Sequence, residues 1–324
     1  MCIRDRYMTG IVFQKITVMF LILAAGILCC RWKLIDEEGN RKLSNLLLLL
    51  VNPVVIFVSY QMEYDSRLIR NLILAFLLGL LCFALQIAVC SLLIPAGGKS
   101  GLLTRKKENK NYQIERLCAV YSNCGFIGIP LINSLFGREG VFYLTGYLTI
   151  FYLFLWTHGV ILMTGKADRR TTIKNLCSPA IIGVLLGLFC FAFQILLPDT
   201  VVEALSSIGS MNTPLAMLVA GAALGQTSLR SCVGNVRIYY ISMIRLMIIP
   251  FCLILLFQFL PFSPVLLLTT LIAASCPVGA CCTMFALTYG KDGAYASQIF
   301  TVTTLLCIVT IPFVVAAAGI VGIG

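Results

Sequence analysis

Long apolar runs separated by short polar breaks fill the sequence. Ten runs are predicted as helical spans: 11–30, 43–61, 69–94, 117–135, 141–164, 179–197, 201–224, 238–259, 265–287 and 294–318. Each is near the ~20 residues that an α-helix needs to cross a bilayer. Two of the runs are interrupted. The fourth carries Asn123, Gly125, Gly128 and Pro130 within eight residues, and the ninth carries Ser275-Cys276-Pro277-Val278-Gly279. Proline removes a backbone donor and opposes a continuous helix. Between apolar flanks this predicts a helix that enters the membrane, breaks and continues, and a broken backbone at that depth must pack on protein or line a cavity.

The interruptions belong to a repeat. Phe136-Gly137-Arg138-Glu139-Gly140 returns 153 residues later as Tyr289-Gly290-Lys291-Asp292-Gly293: aromatic, Gly, cation, anion, Gly. Asn52-Pro53 in the second run and Asn212-Thr213-Pro214 in the seventh place two prolines 161 residues apart, which reads either as the same repeat or as two plain kinks. Helix breaks at matching places in two halves point to the binding site of a secondary transporter. The fold expected is all-α and polytopic. The expected divisions are 1–10 (non-native or disordered, with Met8 the expected start), a first five-helix repeat at 11–164, a cytoplasmic linker at 165–178 and a second, inverted repeat at 179–324.

Composition agrees. The chain of 324 residues is 60% hydrophobic and 11% charged, with mean hydropathy +0.98, which few soluble domains tolerate. No soluble domain of useful size is left between the runs. The net charge of +11 would suggest nucleic acid in a soluble protein; here it reports topology. Of the 24 Lys and Arg residues, 17 fall in one alternate set of loops and 6 in or beside the other set and the N-terminal stretch, with Arg245 set aside. The positive-inside rule then puts the first set in the cytoplasm and both termini outside, in the cell membrane. The partners expected are a small substrate and the lipid bilayer, with no nucleic acid.

Other chemistry is thin. The 15 cysteines form no C-x-x-C pair and no metal-spaced cluster with histidine, and read as small packing residues. Gly98-Lys99-Ser100 is not a P-loop, because Leu93 stands where its first glycine is required. There is no H-E-x-x-H, no G-x-S-x-G and no pair of intramembrane Asp residues, so neither an enzyme nor a cofactor is expected, although coupling to an H+ or Na+ gradient fits a transporter. His158, the only histidine, reads as a packing residue or a proton-coupling group. Gly183-x-x-x-Gly187 and Gly221-x-x-x-Gly225 permit close helix contact.

Candidate binding residues cluster at the breaks. Asn123, Gly125, Gly128 and Pro130 come from the first, and Ser275, Pro277 and Gly279 from the second. Asn133 either adds an amide hydrogen bond or caps the helix. Gln298 and Thr301, on the Ser/Thr-rich final helix, either line a cavity or bond back to their own turn. Arg245 is the one charge deep in an apolar run. It either attracts an anion or ties down backbone carbonyls at the broken helix ends, where the dipole is negative. Half-helix N-termini at the breaks favour a carboxylate.

The stretch Asn123-Cys124-Gly125-Phe126-Ile127-Gly128-Ile129-Pro130-Leu131, with Arg245-Leu246, Pro250, Pro277 and Pro312, resembles the auxin efflux carrier family, the bacterial relatives of plant PIN-FORMED carriers, of malate or malonate permease type. The resemblance runs from Met8 over essentially the whole chain. It implies ten helices in two inverted repeats of five, the fourth and ninth broken and crossing, and efflux of organic anions such as dicarboxylates or auxin-like acids. It also implies a dimer through a scaffold domain. Only residues 165–178 separate the halves, which fits the short bacterial type and not the long plant carriers. A ligand-binding membrane sensor on the same fold, without transport, is the competing reading.

Overall fold

The computed structural model describes residues 2–63, 65–96, 111–166, 178–226 and 234–323, with side chains from Gly10 onward. Among them every element is a helix, and the one extended feature is an isolated antiparallel bridge between Ser122 and Val278. In chain order the helices are α1 (Cys2–Arg31), α2 (Glu37–Leu46), α3 (Asn52–Ser59), α4 (Ser66–Leu93), α5 (Tyr112–Val120), α6 (Ile129–Phe154), α7 (Val160–Thr164), α8 (Pro179–Ala192), α9 (Asp199–Ser210), α10 (Asn212–Gln226), α11 (Val236–Met243), α12 (Ile249–Phe257), α13 (Pro264–Ser275), α14 (Ala280–Thr288) and α15 (Gly293–Ile320). Short polar residues start several of them: Asp36, Asp65, Ser263 and Asp292 each accept a hydrogen bond from a backbone N–H of the first turn.

Seven helical stretches among the described residues are long and apolar enough to cross a membrane: Gly10–Arg31, Glu37–Ser59, Ser66–Leu93, Cys124–Thr164, Asp199–Gln226, Val236–Phe257 and Gly293–Ile320. Pro179–Ala192 and Pro264–Ser275 are shorter apolar helices. The ten expected spans fall on these pieces unevenly. Spans 117–135 and 141–164 share Cys124–Thr164, whose 41 residues are about twice what one crossing needs. It bends at Gly137, where φ is 60° and ψ −147°. The equivalent Gly290 of the repeated five-residue motif has φ 64°, so the two copies share a positive φ that favours glycine. Residues 97–110 and 167–177, with eight of the 17 basic residues behind the topology expectation and the Gly98-Lys99-Ser100 motif, lie outside the described residues. The fourth run starts earlier than 117, because Tyr112–Glu115 already form the first turn of α5.

Three prolines shape the long rods by one mechanism. Pro53, Pro130 and Pro250 each follow a widened, π-type turn, at Leu47–Val51, Cys124–Gly128 and Ile244–Ile248. A proline ring clashes with the carbonyl four residues back. Those carbonyls belong to Leu49, Phe126 and Leu246, the middle residue of each turn. The chain makes room by adding a residue to the turn, so the rod continues and its side chains swing to a new direction.

Small residues let the rods touch. An ideal Cβ on Gly221 of α10 would lie 2.1 Å from the Leu23 carbonyl oxygen of α1 and 3.0 Å from the Gly26 Cα. One on Gly183 would lie 2.9 Å from the Pro53 carbonyl, so both glycine motifs sit at backbone-to-backbone contacts. Gly221→Val is expected to force α1 and α10 apart, at a cost of about 1–3 kcal/mol or more. A lower melting temperature in detergent, with loss of the monodisperse size-exclusion peak, is the expected result. An unchanged melting temperature would mean that the two helices do not meet there.

Candidate functional site

The two interrupted helices meet at their interruptions. The first gap, Tyr121–Asn123, separates α5 from the π turn at Cys124; the second, Cys276–Gly279, separates α13 from α14. Asn123 N–H donates to the Pro277 carbonyl at 2.7 Å and Gly279 N–H to the Tyr121 carbonyl at 2.9 Å, closing the bridge between Ser122 and Val278. Val278 N–H donates to Thr303 Oγ1 of α15 at 3.2 Å. These three N–H groups freed by the breaks are thus satisfied inside the protein, as membrane depth requires. Gly279 is required at the contact, since a Cβ there would lie 2.9 Å from the Ser122 carbonyl oxygen.

Arg245 lies beneath this crossing. The π turn Ile244–Ile248 aims its side chain inward, and it is fully buried. Its Nε donates to the Cys276 carbonyl at 3.0 Å, and Nη1 to Ala119 and Val120, both at 3.1 Å, and to Gln86 Oε1 at 3.3 Å. Its Nη2 donates to the Ala274 carbonyl. The carbonyl acceptors lie at the C-terminal ends of α5 and α13, the negative ends of two half-helix dipoles. Of the two roles that the sequence leaves open, the geometry realises the tie between carbonyls. Direct contact with an anion would require these bonds to open.

The other candidates divide. Asn123 is buried, and its Nδ2 has no hydrogen-bond partner among the described residues; nor have Ser122 Oγ, Thr301 Oγ1 and Thr304 Oγ1. Gly128 closes against the second break, where its Cβ position lies 3.5 Å from Cys276 Sγ. Gly125 faces Asn52, and Pro277 and Gly279 form the bridge. Pro130 is buried just beyond the π turn. Three candidates stand apart: Ser275 Oγ donates back to Leu271 O at 2.6 Å, Asn133 is exposed three turns beyond the first gap, and Gln298 is half-buried on α15.

Several contacts have little signature in the sequence. Gln86 of α4 helps to hold Arg245. Asn212 Nδ2 donates to Asn52 Oδ1 at 2.6 Å, joining the two Asn/Pro positions that read equally well as plain kinks. Glu115, which falls between the third and fourth predicted runs, is buried on α5, takes a two-pronged bond from Arg237 at 2.9 and 2.8 Å, and accepts from Tyr295 Oη at 3.0 Å. Its clue is a carboxylate that opens an apolar run. Tyr121 Oη, at the first gap, donates to the Phe154 carbonyl at 2.8 Å and lies 2.9 Å from His158 Nδ1.

A family model described as "Membrane transport protein" matches residues 11–175 and 168–315. Among curated proteins, an uncharacterized transporter of Methanocaldococcus jannaschii is 24% identical over 223 residues, which span 66% of this chain and 70% of that protein.

The Arg245 tie yields a direct expectation. Both Arg245→Lys and Arg245→Gln leave buried carbonyls unbonded, at about 1–3 kcal/mol for each group. Both are expected to lose folded protein on detergent extraction, read as the yield of monodisperse protein relative to wild type. A Gln variant with normal yield and melting temperature would refute the tie.

Proposed function

The chain belongs to the membrane transport protein family, the auxin efflux carrier family whose motifs it carries, and from that premise we propose that it is a secondary transporter that moves small organic anions out of the cell by alternating access at the paired helix breaks. Dicarboxylates and auxin-like carboxylates are the classes that the resemblance implies. One observation carries the reading. Two helix interruptions, far apart in sequence, meet in an antiparallel contact beside a buried Asn123 amide with unspent hydrogen-bonding capacity. A structural core has little use for that capacity; a site that binds and releases a polar solute does.

The finer architecture proposed is ten spans in two inverted repeats of five, placed in the cell membrane with both termini outside. The 41-residue stretch Cys124–Thr164 supplies the second half of one broken span and then a further span, and the shorter apolar helices α8 and α13 are counted as crossings. Antiparallel contact between the breaks supports inversion, as does the positive φ that Gly137 and Gly290 share.

The chemistry favours an anion. Half-helix N-termini present N–H groups and a positive dipole end, Asn123 adds an amide donor, and Arg245 fixes a positive charge close by. Among the described residues Glu115 is the only buried carboxylate, and Arg237 pairs with it.

Two measurements test this. In proteoliposomes, Asn123→Ala is expected to lower organic-anion uptake by about ten- to a hundredfold, the worth of one hydrogen bond to a charged group. Melting temperature should stay near wild type, and normal uptake by this variant would move the site elsewhere. Running the same assay with and without imposed H+ and Na+ gradients assigns the coupling ion. For topology, single cysteines at Arg138 and Lys291, in a background free of reactive thiols, are expected to label from opposite faces with an impermeant reagent. Labelling from one face would end the inverted-repeat reading.

A further inference from the structure

Asn52 and Asn212 are an unusual pair. Each residue is 2% exposed, and they come from helices that the chain brings together across 160 residues. A buried amide has both donors and an acceptor to satisfy. Here the two amides share one hydrogen bond, from Asn212 Nδ2 to Asn52 Oδ1 at 2.6 Å. Asn52 Nδ2 and Asn212 Oδ1 have no partner among the described residues. Whichever way the amides are turned, one bond between them leaves one NH2 and one C=O unspent. The pair therefore offers a donor and an acceptor side by side.

The direction they face is known from Gly125. A Cβ built there would lie 4.0 Å from Asn52 Nδ2 and would meet no other atom within 4 Å. The pair thus faces the π turn Cys124–Gly128, two residues beyond Asn123, whose own Nδ2 is also unspent. Helix α10, which carries Asn212, packs on that same turn.

We propose that the Asn52–Asn212 amide pair is the specificity-determining half of the substrate site, and that it recognises the hydroxyl of a small 2-hydroxy monocarboxylate. This rests on the transport reading and narrows it to monocarboxylates, against the dicarboxylates that the resemblance also implies. The substrate carboxylate takes the N–H groups of Asn123, Asn52 and the helix start. The neighbouring hydroxyl donates to Asn212 Oδ1. Among the described residues a second carboxylate meets no buried or half-buried arginine that is still free. Among the described residues Arg245 is the only fully buried Lys or Arg, and its guanidinium is committed to four carbonyls and Gln86. Arg237 is held by Glu115, Arg116 by the Ile94 and Ser91 carbonyls, and Arg138 by the Gln61 carbonyl. A bare second charge in such a site is strongly disfavoured.

The test uses the full-length protein in proteoliposomes with three probes: lactate, propionate and malonate. Binding is read separately as the shift each acid gives in melting temperature. Wild type is expected to prefer lactate over propionate on the order of tenfold, one net hydrogen bond, with malonate the poorest. Asn212→Leu removes the acceptor and should bring the lactate-to-propionate ratio within about twofold of one. Asn212→Ala, which also lacks an acceptor, serves the same purpose if the Leu variant does not fold. A wild type without lactate preference, a folded Asn212 variant that keeps the preference, or malonate outcompeting lactate would each overturn the assignment, while leaving organic-anion transport standing. Neither uptake nor a thermal shift with any of the three acids would instead bring down the transport reading itself, and this assignment with it.

Discussion

A buried guanidinium is tolerable only where enough oxygen atoms surround it, and a broken helix in a membrane only where its free carbonyls find donors. Arg245 and the two breaks solve each other's problem. The ends of α5 and α13 supply the oxygens, and Arg245 supplies hydrogens in a planar fork that reaches both at once. Neither half is stable in that place without the other. The antiparallel contact above it, from Asn123 to Pro277 and from Gly279 to Tyr121, then holds the gaps in register. The polar surface left at the crossing is neutral, set in a field made positive by a charge that does not itself touch the site.

Proline does the aiming. At Pro53, Pro130 and Pro250 the same steric conflict produces the same widened turn, and each turn delivers something different. One leads into Asn52, one presents Gly125 and the first turn after the gap, and one carries Arg245. A straight helix through any of the three would point these groups elsewhere. The apparent irregularities are therefore the means by which plain apolar rods present a few polar groups to one place.

Much of this was legible in the sequence. Glycine and proline inside apolar runs marked both breaks. The repeated Phe136–Gly140 and Tyr289–Gly293 motif marked Gly137 and Gly290, which share a left-handed φ. The depth of Arg245, with no carboxylate in sight, left backbone carbonyls as a natural partner. What could not be read was partnership across long separations. Asn52 and Asn212 look like two kinks until the fold brings them to 2.6 Å. Glu115 borders a basic loop, so local composition made it look solvated, although Arg237 and Tyr295 enclose it. Gln86 is one polar letter in an apolar helix, and its partners, Arg245 and Tyr147, both lie far along the sequence. Asn133 erred the other way: an amide near a break reads as part of the site, but three turns of helix carry it out to an exposed face.

The Arg245 contacts also bear on how the chain is made. Synthesis runs from the N-terminus, so Gln86, Ala119 and Val120 already exist when Arg245 emerges, whereas Ala274 and Cys276 follow about thirty residues later. An arginine entering the bilayer alone costs about 2.5–3.5 kcal/mol on insertion scales. The first half of the molecule holds three waiting oxygens that offset part of this cost, and the arrival of α13 supplies the rest. The first half thus serves as a receptor for the second during biogenesis, and the charge that joins the finished halves also sets the order in which they assemble.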